Sequence, residues 1–117
     1  MNYPLQHTGT LHVQSVLDQQ VRVVERDGAV IGFSVTIPTG DGAAELDGLF
    51  VLPAHMGLGF GRVLVDDAAD NARAQGLQQL NVNANPNALG FYTRMGFVVT
   101  GEAQTRFKPA PRMCLTL

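Results

Sequence analysis

Cysteine, lysine and long apolar runs are what this sequence has least of. A single cysteine, Cys114, rules out any disulfide within the chain and fits a reducing compartment. Lys108 is the one lysine among eight cationic side chains, and the net charge is −2, so there is no basic stripe of the kind that holds nucleic acid. No apolar run approaches the roughly 20 residues of a membrane span. The opening MNYPLQHTGT has neither the charged n-region nor the hydrophobic h-region of a secretory leader. Three scattered histidines and one cysteine show no metal-ligand spacing, so no metal site is expected. These absences predict a cytoplasmic protein with no nucleic-acid, membrane or metal partner.

What remains is an ordinary globular composition. The chain has 117 residues, 45% apolar and 15% charged, enough for one folded domain over 1–117 and too short for a second. From Val21 to Ile37, VRVVERDGAVIGFSVTI sets two β-branched runs either side of Asp27-Gly28, a hairpin signal. AAELDGLFVLP (43–53) reads as a strand ended by Pro53. Phe60, Val63, Leu64, Ala68 and Ala72 then recur at helical spacing, with Asp66, Asp67, Asp70 and Arg73 expected mostly off that stripe and Gly76 as its stop. LQQLNVN (77–83) reads as a strand and NPNALGFYTRMG (85–96) as a short helix capped by Asn85. Phe97 to Thr105 and Arg112 to Leu117 close the chain as strands. The predicted order is β-β-β-α-β-α-β-β after an ill-defined start, an α/β fold with a mixed central sheet flanked by helices.

The stretch PAHMGLGFGRVL (53–64) places Gly57, Gly59 and Gly61 on alternate positions where a helix begins. Bare main-chain amides at a helix start, with the positive end of the helix dipole behind them, suit a phosphate. The spacing is neither the G-x-G-x-x-G of a dinucleotide fold nor a P-loop, which needs Lys-Ser/Thr next. On the glycines alone, a mobile loop fits as well as an anion cradle.

A second block settles the direction of the reading. FVLPAHMGLGFGRVL (50–64) and NPNALGFYTRMGF (85–97), in that order and spacing, resemble the GNAT superfamily of acetyl-CoA-dependent N-acetyltransferases. Two features depart from that family. Met56 stands where Gln or Arg is usual, and only about 20 residues precede the first clear strand, where the family has a strand and two helices. The resemblance therefore implies a single-domain GNAT fold with a shortened N-terminal region and an open acceptor site. An uncovered first strand is a sticky edge, which makes a homodimer one way to cover it.

The resemblance also implies roles residue by residue. Acetyl-CoA is the expected co-substrate, and a primary amine of a small molecule or peptide the expected acceptor. Glu45 would be the general base, with Asp47 two residues on and so on the same strand face. The strand backbone near Phe50 and Val51 would polarise the thioester carbonyl. Leu58, Gly59, Phe60, Gly61 and Arg62 would hold the diphosphate, Asn85 would touch the coenzyme arm, and Tyr92 would protonate the departing sulfur. Each has a plainer reading beside it. Glu45 and Asp47 also fit a solvent-facing strand, Tyr92 an apolar helix stripe, Asn85 a cap, and His55 an exposed loop. The alternative for the whole chain is a coenzyme-binding regulatory module that performs no transfer.

Overall fold

The computed structural model describes residues 11–16, 20–106 and 108–117. Its strands are β1 (Leu11–Val16), β2 (Val21–Arg26), β3 (Ala29–Pro38), β4 (Ala43–Val51), β5 (Gln79–Asn83), β6 (Val98–Ala103) and β7 (Ala110–Thr116). The helices are α1 (Phe60–Ala74) and α2 (Leu89–Arg94). All seven strands form one sheet in the order β1-β2-β3-β4-β5-β7-β6, with β4 and β5 parallel and every other pair antiparallel. The predicted start needs one correction. Its segment contains β1, whose LHVQSV alternates apolar and polar residues, so the uncovered edge belongs to β1 and not to the hairpin.

Local chemistry explains the element boundaries. Asp27 (φ 52°) and Gly28 (φ 84°) both take the left-handed conformation, the turn that matches the twist of the two strands it joins. At the end of α1 the Gly76 N–H donates to Arg73 O and the Leu77 N–H to Ala72 O, at 2.9 and 3.0 Å. That paired closure satisfies carbonyls the helix leaves open. Asn85 caps as expected, its Oδ1 accepting from Asn87 N–H at 2.9 Å. It opens a 3₁₀ turn (Pro86–Ala88), so α2 proper starts only at Leu89.

Both helices pack on one face of the sheet. Val65, Ala68 and Ala69 of α1 and Tyr92 of α2 bury Ala44, Leu46, Leu80, Val82 and Met113; Phe60, Val63 and Leu64 bury Val13, Val24, Ile31 and Val51. Asp67 joins this buried face, contrary to its expected outward position. It is 1% exposed and receives a two-pronged contact from Arg22 of β2, Nε to Oδ2 at 2.8 Å and Nη2 to Oδ1 at 2.7 Å. Its spacing, four beyond Val63 and three beyond Leu64, puts it on the stripe. The buried hydroxyls of Ser34, which stands opposite Arg22 in the sheet, and of Thr36 have no hydrogen-bond partner among the described residues.

The opposite face carries no helix among the described residues. Four residues join β1 to β2, far fewer than a pair of helices needs. Phe33, Ile37 and Phe50 are exposed there, and the rings of Phe33 and Phe50 meet at 5.7 Å. A solvated sheet face is ordinarily polar in alternation, and this one is apolar over β3 and β4. No helix among the described residues is long and apolar enough to cross a membrane.

Candidate functional site

Strands β4 and β5 are bonded only from Ala43–Gln79 to Glu45–Asn81; beyond that rung β4 runs on to Val51 with no β5 partner. The strands part, and a cleft of about 810 Å³ opens between them on the helix-bearing side. That volume suits a small-molecule ligand. Leu49 and Val51 form its β4 wall, the glycine stretch its rim, and Asn85, Phe91, Arg94 and Met95 the wall from α2 and the turn before it.

The alternate glycines have separate reasons. Gly57 (φ 78°) and Gly59 (φ 91°) are left-handed, a backbone shape that costs an L side chain about 1–2 kcal/mol. Neither would bring an added Cβ within 4 Å of another group, so conformation, not crowding, selects glycine. Gly61 has no such angle; its bare Cα lies against the Phe91 ring, 3.5 Å from where a Cβ would stand. Gly59 caps α1, and the first bond into the helix runs from Val63 N–H to Gly59 O at 3.1 Å. The amides of Gly61 and Arg62 lie ahead of that bond and have no acceptor within the helix.

Charge and polarity follow the same edge. Arg62 and Arg94 line the cleft, the Arg62 guanidinium standing 3.8 Å from the Asp66 carboxylate. With its Oδ1 spent on the cap, Asn85 keeps its amide NH₂ for a ligand. His55 is a residue the sequence reading missed. Instead of standing exposed, it is half-buried on the cleft wall, its edge against Phe60 with ring centroids 5.9 Å apart. Its buried Nδ1 has no partner among the described residues. An orphaned polar atom, two open amides and two cations around one cleft fit a phosphate-bearing ligand of coenzyme size.

The expected site residues divide. Gly59, Gly61, Arg62, Asn85 and Val51 meet at the cleft. Leu52 N–H donates to Ile31 O at 2.8 Å, so alternation turns the Val51 N–H toward the split and the Phe50 N–H toward β3. Of the two, Val51 is the donor available there, while the Phe50 side chain is exposed on the bare face. Leu58 and Phe60 are not on the cleft wall; the Phe60 side chain is core, and only main-chain contact is open to it.

The carboxylate pair sits at an irregularity of β4. Val35 faces Gly48 and Thr36 faces Leu46, so Asp47 is an extra residue in β4, a bulge. The helix-facing positions are Ala44 and Leu46 before the bulge and Leu49 and Val51 after it, so the alternation shifts there while Glu45 and Asp47 both stay off the helix face. Asp47 is exposed at the bulge, and Glu45 is engaged elsewhere. Arg112 of β7 grips it with Nη1 to Oε2 at 2.5 Å and Nη2 to Oε1 at 2.8 Å. The Glu45 hydrogen bond holds the guanidinium more firmly protonated than usual. Tyr92 is 6% exposed, packed between Phe91 and Phe97, and burial pushes its phenol pKa above the usual value.

Comparison with known proteins agrees with this architecture. The family model described as an acetyltransferase (GNAT) domain matches residues 18–99. The chain belongs to that family. It is 40% identical over 98 residues to the peptidyl-lysine N-acetyltransferase YjaB of Escherichia coli, covering 81% of this chain and 60% of that protein. It is 38% identical over 82 residues to the streptothricin acetyltransferase of Streptomyces lavendulae, covering 67% and 43%. The chain thus spans about half the length of these two relatives. In fold it is similar to Ard1 of Thermoplasma volcanium, with a TM-score of 0.76 at 23% identity, covering 85% of this chain and 71% of that one. These relatives make acetyl transfer the activity class to which the chain is similar.

Proposed function

We propose that this protein moves an acetyl group from acetyl-CoA directly to a primary amine of a small molecule or peptide, in the cytoplasm. The observation that carries the reading is the parting of β4 and β5 beside a glycine-shaped helix start, with a carboxylate at the point where the strands divide. Bound acetyl-CoA would supply an activated thioester and a thiol leaving group. The chain's own groups do the rest. Main-chain amides from Leu58 to Arg62, led by Gly61 and Arg62, bind the diphosphate, and the Arg62 and Arg94 side chains add positive charge. Asn85 orients the coenzyme arm through its free amide end. The Val51 N–H, turned into the split, donates to the carbonyl oxygen as negative charge develops.

Glu45 takes the proton of the acceptor amine, directly or through water. A carboxylate offers about four acceptor positions, of which the Arg112 fork uses two, so outer ones remain. Asp47, off the ladder and exposed, contributes negative charge that attracts a cationic amine. Tyr92 returns a proton to sulfur; its raised pKa keeps the phenol protonated through neutral pH. Two copies pairing over the bare sheet face is the companion proposal, checked by sedimentation.

One observation favours the rival reading of a coenzyme-binding module without transfer: Tyr92 belongs to the core cluster and not to the cleft wall. Calorimetry with acetyl-CoA, followed by free-thiol release over a panel of aliphatic, aromatic and lysyl-peptide amines, separates the readings. Amine-dependent thiol release that collapses in Glu45→Gln and Tyr92→Phe supports transfer. Tight coenzyme binding with no amine-dependent release supports the module, and absence of coenzyme binding sinks both.

A further inference from the structure

On the face without helices an organised polar group straddles the point where the strands part. Glu45–Asn81 is the last rung between β4 and β5. Asn83, two residues along β5, stands opposite Arg112 of β7. The Arg112 side chain crosses β5 to reach Glu45 on β4, and on the way its Nη1 donates to Asn83 Oδ1 at 2.9 Å. One guanidinium therefore ties three strands together at the apex of the split.

Such a contact adds little as a stability device. The two side chains are 33% and 21% exposed, and a partly solvated ion pair typically contributes about 0–1 kcal/mol. Its geometric effect is larger. A glutamate on a strand has several rotatable bonds and, left alone, sweeps a wide arc. The planar fork accepts only one arrangement of the carboxylate, and Asn83 fixes the fork in turn. A displacement of about 1 Å at a reacting group can cost on the order of a hundredfold in rate.

We infer that Arg112, braced by Asn83, is a positioning residue that holds the Glu45 carboxylate over the split, so that an arriving amine meets a base already oriented. This rests on the reading of Glu45 as the base given above. It predicts that Arg112 acts on turnover only through Glu45.

The test compares Arg112→Gln, Arg112→Lys, Glu45→Gln and the double variant Glu45→Gln/Arg112→Gln in the full chain, with kcat, both KM values and acetyl-CoA affinity measured for each. Arg112→Gln should lower kcat roughly tenfold to a hundredfold while leaving the acetyl-CoA dissociation constant within about twofold of the parent. Arg112→Lys, which restores the charge without the fork, should recover part of the loss. The double variant should turn over no more slowly than Glu45→Gln alone, because the second change removes a support whose object is already gone. A normal kcat in Arg112→Gln beside a collapsed Glu45→Gln overturns the inference and leaves the base reading standing. So does a double variant slowed by the product of the two single effects. Loss of coenzyme binding in Arg112→Gln assigns a merely structural role instead. A fully active Glu45→Gln removes the base reading itself and the inference with it.

Discussion

Arg22 grips Asp67 under α1, and Arg112 grips Glu45 on the opposite side of the same sheet. Both contacts are two-pronged, and both join groups far apart in sequence, by 45 and 67 residues. They differ in surroundings. The side chains of the first pair are 10% and 1% exposed, those of the second 33% and 21%. A buried pair matters most when broken, because one partner is left as an uncompensated charge in the core. A half-exposed pair costs little to break, since water solvates what is left. The same chemistry therefore locks a helix to the sheet on one face and aims a side chain on the other.

The largest effect belongs to the buried pair. Asp67→Ala should destabilise the fold by about 3–5 kcal/mol, read as a lower denaturant midpoint, because the buried Arg22 guanidinium loses its two-pronged carboxylate contact. Replacing both partners, Arg22→Met with Asp67→Leu, should recover most of that loss. A cost for Asp67→Ala near that of a surface change would erase the contrast between the faces. The half-exposed pair comes next: Arg112→Gln should lower stability by no more than about 1 kcal/mol in the same measurement. A loss of several kcal/mol there would make it a second structural lock.

The smallest effect is titration of Tyr92 on the buried face. Burial raises its pKa in the folded chain above the unfolded value near 10. Between those two values the folded state binds more protons, so its stability is fully present below the unfolded pKa and falls as pH rises through the folded one. Melting temperatures from about pH 9 upward should decline more steeply in the parent than in Tyr92→Phe. Parallel declines would mean that Tyr92 is solvated in the folded chain.

Much of the fold was legible because its signals are local. Asp27-Gly28 at the hairpin, Gly76 after α1 and Asn85 before the 3₁₀ turn all act within a few residues, through backbone sterics and caps. The glycine stretch was legible for the same reason. Asp67 was misread: its charge argued for an outward position although its spacing falls on the stripe, and no local feature announced the arginine that makes its burial tolerable. The bulge at Asp47 was not legible, because one extra residue in a strand is a property of the pairing between strands. His55 stood in an unremarkable loop until the cleft formed around it.

By itself, then, the order of residues determined where chain segments bend, start and stop, and which amides at Gly61 and Arg62 lie ahead of the first helical bond. Those outcomes depend on torsion angles and neighbours a few positions away. Only the assembled sheet decided that β7 would lie beside β5, bringing Arg112 to Glu45, and that β4 would part from β5 one rung beyond. Such meetings depend on strand order and register, which arise when distant segments compete to bury apolar surface together.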